Sequence, residues 1–147
     1  MNKIVPELLC ADIAVTKRFY LQVLGFSVLF ERAEETFACL GRAGVELMFE
    51  QVDGPGRRWI TGPLEKPFGR GINFQIETDD VDALHAQVLA VAAERLYVPI
   101  EEKQYRCNDQ IVSTHQFVVQ DPDGYLLRFA RDFNTQDVRT QEAVDAG

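Results

Sequence analysis

Apolar and polar positions in the first third of the chain follow spacings that predict one strand, one helix and three further strands. Residues 4–10 favour a short strand, which Pro6 places at an edge or an end of its sheet. Asp12 is a typical helix cap, and the helix that follows it ends at Gly25. Its apolar residues share one broad face: Ile13, Val15, Phe19, Tyr20, Val23 and Leu24. Three β-type runs come next, over residues 26–32, 36–41 and 45–52.

The same order of elements returns after a polar stretch, 53–71, that contains several Gly and Pro residues. Residues 72–78 alternate strictly, which predicts a half-buried strand with Asn73, Gln75 and Glu77 on one face. Asp79 or Asp80 then caps a helix with an apolar face formed by Val81, Leu84, Val88, Leu89 and Val91. Further β-type runs cover 96–100, 111–120 and 125–131. The chain therefore contains two βαβββ units.

The strongest local signal is the tight turn Asp121-Pro122-Asp123-Gly124. Proline presets one backbone angle, aspartate can accept hydrogen bonds from the backbone ahead of it, and glycine allows a positive φ. The flanking runs are rich in β-forming residues, so the turn predicts a hairpin. Its second strand places Arg128 four residues after Gly124, among apolar neighbours.

Two βαβββ modules predict a single α+β domain over residues 1–134. The modules cover about 1–52 and 72–134, with a linker at 53–71. One helix covers one face of each curved sheet, and pairing of the two sheets leaves an open trough on the other face. Residues 135–147 have lost the periodicity and predict a frayed, flexible tail.

Composition narrows the class of protein. The chain has 147 residues, 46% of them hydrophobic and 26% charged, which is typical of one globular domain. No apolar run could span a membrane, and the N-terminal residues are not typical of a signal peptide. Three scattered cysteines indicate reduced thiols, so we expect a cytoplasmic protein. The net charge of −8 argues against nucleic acid and anionic membranes as partners, and it is compatible with a cationic ligand.

Several motifs, in this order and spacing, resemble the vicinal oxygen chelate superfamily, which includes glyoxalase I, extradiol dioxygenases, fosfomycin resistance enzymes and bleomycin resistance proteins. The motifs are Asp12-Ile13 with Phe19-Tyr20 and Leu24-Gly25-Phe26, Val45-Glu46-Leu47, Asp80-Val81-Asp82-Ala83-Leu84, and Asp121-Pro122-Asp123-Gly124-Tyr125. The resemblance covers nearly the whole chain. It implies the glyoxalase/bleomycin resistance fold, with a curved open sheet around a trough.

Enzymes of this superfamily hold a divalent metal in the trough, with ligands from the first and last strands of each module. The resemblance places those positions at Val5, Glu46, Asn73 and Arg128. Valine cannot ligate, asparagine is a weak oxygen ligand, and arginine brings a permanent positive charge. We therefore expect no catalytic metal and no cofactor.

Residues at these positions could instead bind a polar ligand. Arg128 and Asn73 can donate hydrogen bonds and Glu46 can accept them, although Arg128 could instead pair with Glu46. Aromatic and basic residues in or beside the connecting segments predict a rim for the trough, namely Phe49, Trp59, Tyr105 and Arg106. The resemblance to bleomycin resistance proteins further implies that the acidic side chains of Glu46 and Glu50 face the positive groups of a ligand. Trp59 could equally cover the core of its own domain or contact a partner subunit.

Three functions remain open at this point. The first resembles that of bleomycin resistance proteins, namely metal-free sequestration of a small molecule, such as a cationic glycopeptide antibiotic, in a crevice of a homodimer. The second is a metal-dependent enzyme of the lyase or dioxygenase kind with an altered ligand set. Its candidate ligands are Glu46, Asn73, His115 and Glu7. The third is a small-molecule sensor or accessory subunit.

Overall fold

The computed structural model describes residues 2–137, which form the βαβββ order twice. The first module contains β1 (Glu7–Cys10), α1 (Ile13–Gln22), β2 (Ser27–Arg32), β3 (Phe37–Arg42) and β4 (Val45–Gln51). The second contains β5 (Asn73–Glu77), α2 (Val81–Ala92), β6 (Leu96–Cys107), β7 (Gln110–Gln120) and β8 (Leu126–Asp137). Short 3₁₀ turns lie at Ala33–Glu35 and Ala93–Arg95. The predicted α+β class and tandem modules are confirmed.

Each module forms its own four-stranded sheet with the same strand order. The order is β1-β4-β3-β2 in the first sheet and β5-β8-β7-β6 in the second. The first strand of each module lies parallel to the last one, whereas the other neighbours are antiparallel. This register places Gln75 directly beside Arg128.

The two helix-capping aspartates behave differently. Oδ1 of Asp12 accepts hydrogen bonds from the backbone N–H groups of Ala14, at 2.9 Å, and Val15, at 3.3 Å, as predicted. Asp80 occupies the cap position of α2, but its side chain makes no capping bond. Its Oδ1 instead accepts from Nη2 of Arg42 at 2.8 Å, so Asp80 caps α2 by its position, as predicted, but not by a side-chain hydrogen bond. This carboxylate joins the two modules.

Both modules contribute to one apolar core, in which α1 packs through Phe19 and Tyr20 and α2 packs through Leu84 and Val88. Polar contacts also cross between them. The Tyr125 hydroxyl donates to the backbone oxygen of Leu9 at 2.8 Å. The two sheets therefore pack against each other within one chain.

The Asp121–Gly124 turn closes the β7–β8 hairpin. Oδ1 of Asp121 accepts from the backbone N–H groups of Asp123, Gly124 and Tyr125 at 2.9–3.0 Å. Gly124 has a φ of +110°, and a Cβ at this position would clash with Pro67 of the linker. The turn is thus packed against the segment that connects the modules.

Two elements are longer than predicted. β6 continues to Cys107, so that β6 and β7 form a hairpin well beyond the predicted strand at 96–100. β8 continues to Asp137, three residues beyond the predicted end of the domain, so the predicted tail does not begin at residue 135. The rest of that tail, 138–147, lies outside the described residues. Within residues 2–137, none of the helices is long and apolar enough to cross a membrane.

Candidate functional site

Each sheet has one face on the core and one face that its helix does not cover, which we call the open face. On β4, Leu47 and Phe49 belong to the core, whereas Glu46 and Glu50 lie on the other side of the strand. Phe49 is fully buried, and its ring centroid lies 4.7 Å from that of Tyr20. The expectation that Phe49 rims the trough is therefore wrong, because strand alternation turns it into the core.

The open face of the first sheet is occupied by the linker. Nη1 of Arg58 lies 2.7 Å from Oε1 of Glu50, and the two side chains are only 10% and 9% exposed. Arg58 also donates from Nε to the backbone oxygen of Gln51 at 2.9 Å. The pKa of Glu7 is raised by partial burial and by a hydrogen bond to Glu50. The charges on this face are thus already paired within the chain.

The open face of the second sheet is polar and accessible. Asn73, Gln75 and Glu77 are exposed along β5, as their alternation predicted. Nη2 of Arg128 donates to Oε1 of Gln75 at 2.8 Å across the β5–β8 pair. Nε of Arg128 is buried and has no hydrogen-bond partner. The guanidinium is therefore held by its own sheet and keeps an unused donor.

A second unused polar atom lies on the neighbouring strand. Gln116 of β7 is 4% exposed, and its Nε2 donates to Oε1 of Glu101, at 3.0 Å, and to the hydroxyl of Tyr105, at 2.9 Å. Oε1 of Gln116 is buried without a partner. Unsatisfied buried polar atoms are costly, so two on one face of a sheet indicate a place where a ligand can gain hydrogen bonds.

A cavity of about 270 Å³ lies on this face. Its lining residues come from all four strands of the second sheet, namely Gln75, Tyr105, Cys107, Val112, Thr114, Arg128 and Asp132. The hydroxyl of Thr114 donates to Oδ1 of Asp132 at 2.7 Å, which fixes one wall. The cavity combines a cation, a carboxylate and neutral hydrogen-bonding groups, so it can orient a polar ligand.

The predicted site residues are only partly brought together. Arg128 and Tyr105 line the 270 Å³ cavity. Glu46 lines a neighbouring groove of about 300 Å³, which it shares with Gln75. Asn73 lines a third cavity, of about 380 Å³, beside the linker.

Three other predicted site residues lie away from the cavity. Glu50 is buried in its ion pair with Arg58. Trp59 is 76% exposed and stacks with the guanidinium of Arg57, 5.2 Å from the ring, so it does not cover its own core. Arg106 lies one residue after Tyr105, and its Nε donates to the backbone oxygen of Asn108. It therefore does not line the cavity.

Sequence reasoning missed Glu101, Thr114, Gln116 and Asp132. A signal for part of this set was present on β7, where Thr114 and Gln116 alternate with His115 and Phe117. That alternation places the two polar side chains on the open face once Phe117 is assigned to the core.

A larger depression, of about 700 Å³, lies at the start of α2 and not on the open faces. His115 lines it, and its Nε2 lies 3.0 Å from Oδ1 of Asp82. His115 shares the core-facing side of β7 with Phe117, whereas Glu46 and Glu7 belong to the first module. His115 therefore lies on the opposite side of the second sheet from Asn73, so these two alternative metal ligands do not meet.

The residues at the four metal positions do not fit a divalent ion. Glu46 supplies the one carboxylate, Asn73 is exposed, and Arg128 places a guanidinium at the fourth position. A dication about 5 Å from that guanidinium would be repelled by several kcal/mol even at an effective dielectric near 20. Among residues 2–137, no three His, Cys, Asp or Glu side chains are grouped as a metal site requires.

Two βαβββ modules around an open, polar sheet face define a glyoxalase-type fold. Residues 2–129 match the Glyoxalase/Bleomycin resistance protein/Dioxygenase superfamily, and the chain belongs to this superfamily. A superfamily member from Vibrio splendidus 12B01 is 39% identical over 86% of this chain and 95% of that chain, with a TM-score of 0.42. A comparison with curated proteins found no match.

Two further structures are similar in fold. TioX from Micromonospora sp. ML1 is 22% identical, with 89% of this chain and 98% of that chain covered and a TM-score of 0.68. A bleomycin-binding protein complexed with bleomycin is 23% identical, with the same coverage and a TM-score of 0.59. At these identities the likeness extends to the fold alone.

Proposed function

We propose that this protein binds a small molecule on the open face of its second sheet and releases it chemically unchanged, without a metal ion. The observation that supports this most strongly is the position of Arg128. This residue places a permanent cation where the metalloenzymes of the superfamily place a metal-binding side chain. Its hydrogen bond to Gln75 holds that charge in place. A fixed cation beside neutral donors and acceptors suits recognition of a polar ligand.

The ligand that we propose to test first is a cationic glycopeptide of the bleomycin type. One structural neighbour is described as a bleomycin-binding protein complexed with bleomycin. The net charge of −8 favours association with a cation. We expect Glu46 and Glu77 to face the positive groups of such a ligand, since Glu46 shares a groove with Gln75 and Glu77 follows Gln75 by two residues on the same face of β5.

We propose further that a second copy of the chain completes the binding crevice. The edge strand β2 exposes two large apolar side chains, Leu29 at 50% and Phe30 at 42%, which a partner would cover. Sedimentation analysis of the wild type and of Leu29→Glu tests this. A dimer that dissociates in the variant supports the proposal, and a wild type that is monomeric at micromolar concentration contradicts it.

Three free cysteines favour a reducing compartment such as the cytoplasm.

Isothermal titration calorimetry with bleomycin tests the binding function. We expect stoichiometric binding by the wild type and a loss of roughly tenfold or more in Arg128→Ala, since a charged hydrogen bond contributes about 1.5–3 kcal/mol. Arg106→Ala is the matched control, because Arg106 is exposed and bonds only the backbone of Asn108. Chromatography after incubation should recover intact ligand. A converted ligand, or stoichiometric metal in protein purified without chelator, would overturn the proposal.

A further inference from the structure

We propose that the ligand presents a neutral carboxamide edge to the second sheet, with its carbonyl accepting from Nε of Arg128 and its N–H donating to Oε1 of Gln116. This inference rests on the proposed function, because it specifies the chemistry of the same open face. Both protein atoms are buried, and neither has a partner within the chain. One is a donor and the other an acceptor, so a group that carries both functions side by side satisfies them together.

The sheet register brings the two side chains close to each other. Arg128 on β8 lies opposite Val118, and Gln116 on β7 lies opposite Ala130. Arg128 and Gln116 are therefore diagonal neighbours on the same face, with Cα atoms about 7–8 Å apart. Two long side chains at this spacing can reach the same small ligand group.

The orientation of the Gln116 amide is set by its neighbours. A carboxylate oxygen accepts hydrogen bonds and has no proton to donate. Oε1 of Glu101 lies 3.0 Å from Nε2 of Gln116, so it accepts from that amide nitrogen. A flipped amide would place two acceptors in contact, which is unfavourable. The carbonyl of Gln116 therefore remains an acceptor for a ligand, and Glu101 acts as the positioning residue.

Access to the two atoms requires a side chain to move. Tyr105 is the candidate, because it is half-buried, lines the cavity and accepts a hydrogen bond from Gln116. A ligand that displaces Tyr105 breaks the hydrogen bond between Tyr105 and Gln116 and forms two that the free protein does not make.

Charged ligand groups fit this pair less well than neutral ones. A carboxylate would accept from Arg128 but would face the carbonyl of Gln116 and the carboxylates of Glu101 and Asp132. An ammonium would donate to Gln116 but would approach the Arg128 guanidinium. A carboxamide meets both atoms without placing like charges together. In a cationic glycopeptide, a peptide amide would then contact this pair while the positive groups lie elsewhere.

Three fragments of nearly equal shape test the inference: benzamide, benzoate and benzylammonium. Side-chain NMR resonances of Arg128 Nε–H and the Gln116 amide provide a readout at the two atoms. We expect benzamide to shift both resonances in the wild type, with an affinity at least about fivefold above that of the other two fragments. Preference for benzoate or benzylammonium, or no shift with any fragment at 10 mM, would overturn the inference.

Gln116→Met preserves side-chain length and removes the acceptor. It should weaken benzamide binding roughly tenfold and abolish the preference over benzoate. The control Gln104→Met changes an exposed glutamine on β6. It should leave both the affinity for benzamide and the preference over benzoate unchanged. An unaltered preference in Gln116→Met would contradict the assigned role of Gln116.

Bleomycin titration distinguishes this inference from the proposed function. Bleomycin binding together with a benzoate preference would leave the proposed function standing and reject the carboxamide edge. A benzamide preference without bleomycin binding would support the carboxamide edge and reject the glycopeptide as the ligand.

Discussion

The hydroxyl of Tyr20 on α1 donates a 2.9 Å hydrogen bond to Oδ2 of Asp121 in the β7–β8 turn, and both residues are fully buried. The neighbouring Asp123 accepts from the backbone N–H of Ala11 at 3.0 Å. A turn of the second module thus provides hydrogen-bond acceptors for the first helix and the segment before it. The two modules are joined by polar contacts with defined geometry as well as by apolar packing.

Loss of the Tyr20 hydroxyl should therefore destabilise the whole domain. Tyr20→Phe leaves Oδ2 of Asp121 buried without its donor, and we expect the free energy of unfolding to fall by about 1.5–3 kcal/mol. Urea denaturation followed by circular dichroism measures this. Tyr97→Phe, which removes a hydroxyl from a side chain that is 60% exposed, is the control and should change little. Equal stability of the two variants would contradict this role of the hydrogen bond.

Asp121 should also make the stability depend on pH. Burial raises the pKa of Asp121 to about 6, against the opposing effect of its hydrogen bond from Tyr20. The folded state therefore binds this proton more tightly than the unfolded state, and the contribution of Asp121 to stability falls as the pH rises from about 4 through 6. Between about pH 4 and pH 6, the contribution of Asp121 to the free energy of unfolding should fall by an amount on the order of 2–3 kcal/mol.

Asp121→Asn isolates this contribution, because it keeps a carbonyl oxygen for the turn amides and removes the titration. Unfolding free energies measured from pH 4 to 7 should show a smaller loss with rising pH in the variant than in the wild type. Parallel profiles would show that Asp121 does not titrate in this range.

The buried ion pair over the first sheet predicts a large effect from a single substitution. Arg58→Ala leaves Glu50 buried without its countercharge, and we expect a loss of about 3–5 kcal/mol. The double variant Arg58→Met with Glu50→Leu removes both charges and should recover most of that loss. Arg57→Ala is the control, since this neighbour stacks on the exposed Trp59. Thermal and urea unfolding together measure these differences. If Arg58→Ala is as stable as Arg57→Ala, the ion pair between Arg58 and Glu50 does not stabilise the fold as we expect.

Gly124 should resist substitution. Its positive φ is strained for other residues, and a Cβ would meet Pro67 and the backbone N of Phe68. We expect Gly124→Ala to cost about 2 kcal/mol or more in unfolding free energy. Gly62→Ala, at a glycine with open space around its Cβ position, is the matched control and should be nearly neutral. Equal costs would show that the turn can relax.

Most of the fold could be predicted because its signals are local. Strand alternation on β5, the cap at Asp12 and the Asp121–Gly124 turn each depend on residues close in sequence. The extension of β6 to Cys107 was missed because its outer half is polar and exposed, so it lacks the apolar periodicity of a buried strand. The side-chain role of Asp80 was missed because its partner, Arg42, belongs to the other module.

The candidate site was harder to predict than the fold. Arg128 and Tyr105 could be proposed, since an arginine among apolar strand residues and an aromatic in a polar segment are unusual. The hydrogen bonds that leave Gln116 with an unused oxygen depend on cross-strand pairing with Glu101, which no local pattern specifies. Phe49 could have been assigned to the core from the alternation along β4, whereas the pairing of Glu50 with Arg58 depends on how the linker folds back over the first sheet.

The hydrogen bond between Tyr20 and Asp121 also constrains how the chain can fold during synthesis on the ribosome. The two residues are separated by 101 positions, so α1 emerges long before its buried acceptor has been translated. We expect the nascent first module to remain incompletely packed until the β7–β8 turn leaves the exit tunnel. Its aromatic residues are then available to chaperones and proteases throughout this interval. We therefore expect final packing of the N-terminal half to be one of the last events in the biogenesis of the protein.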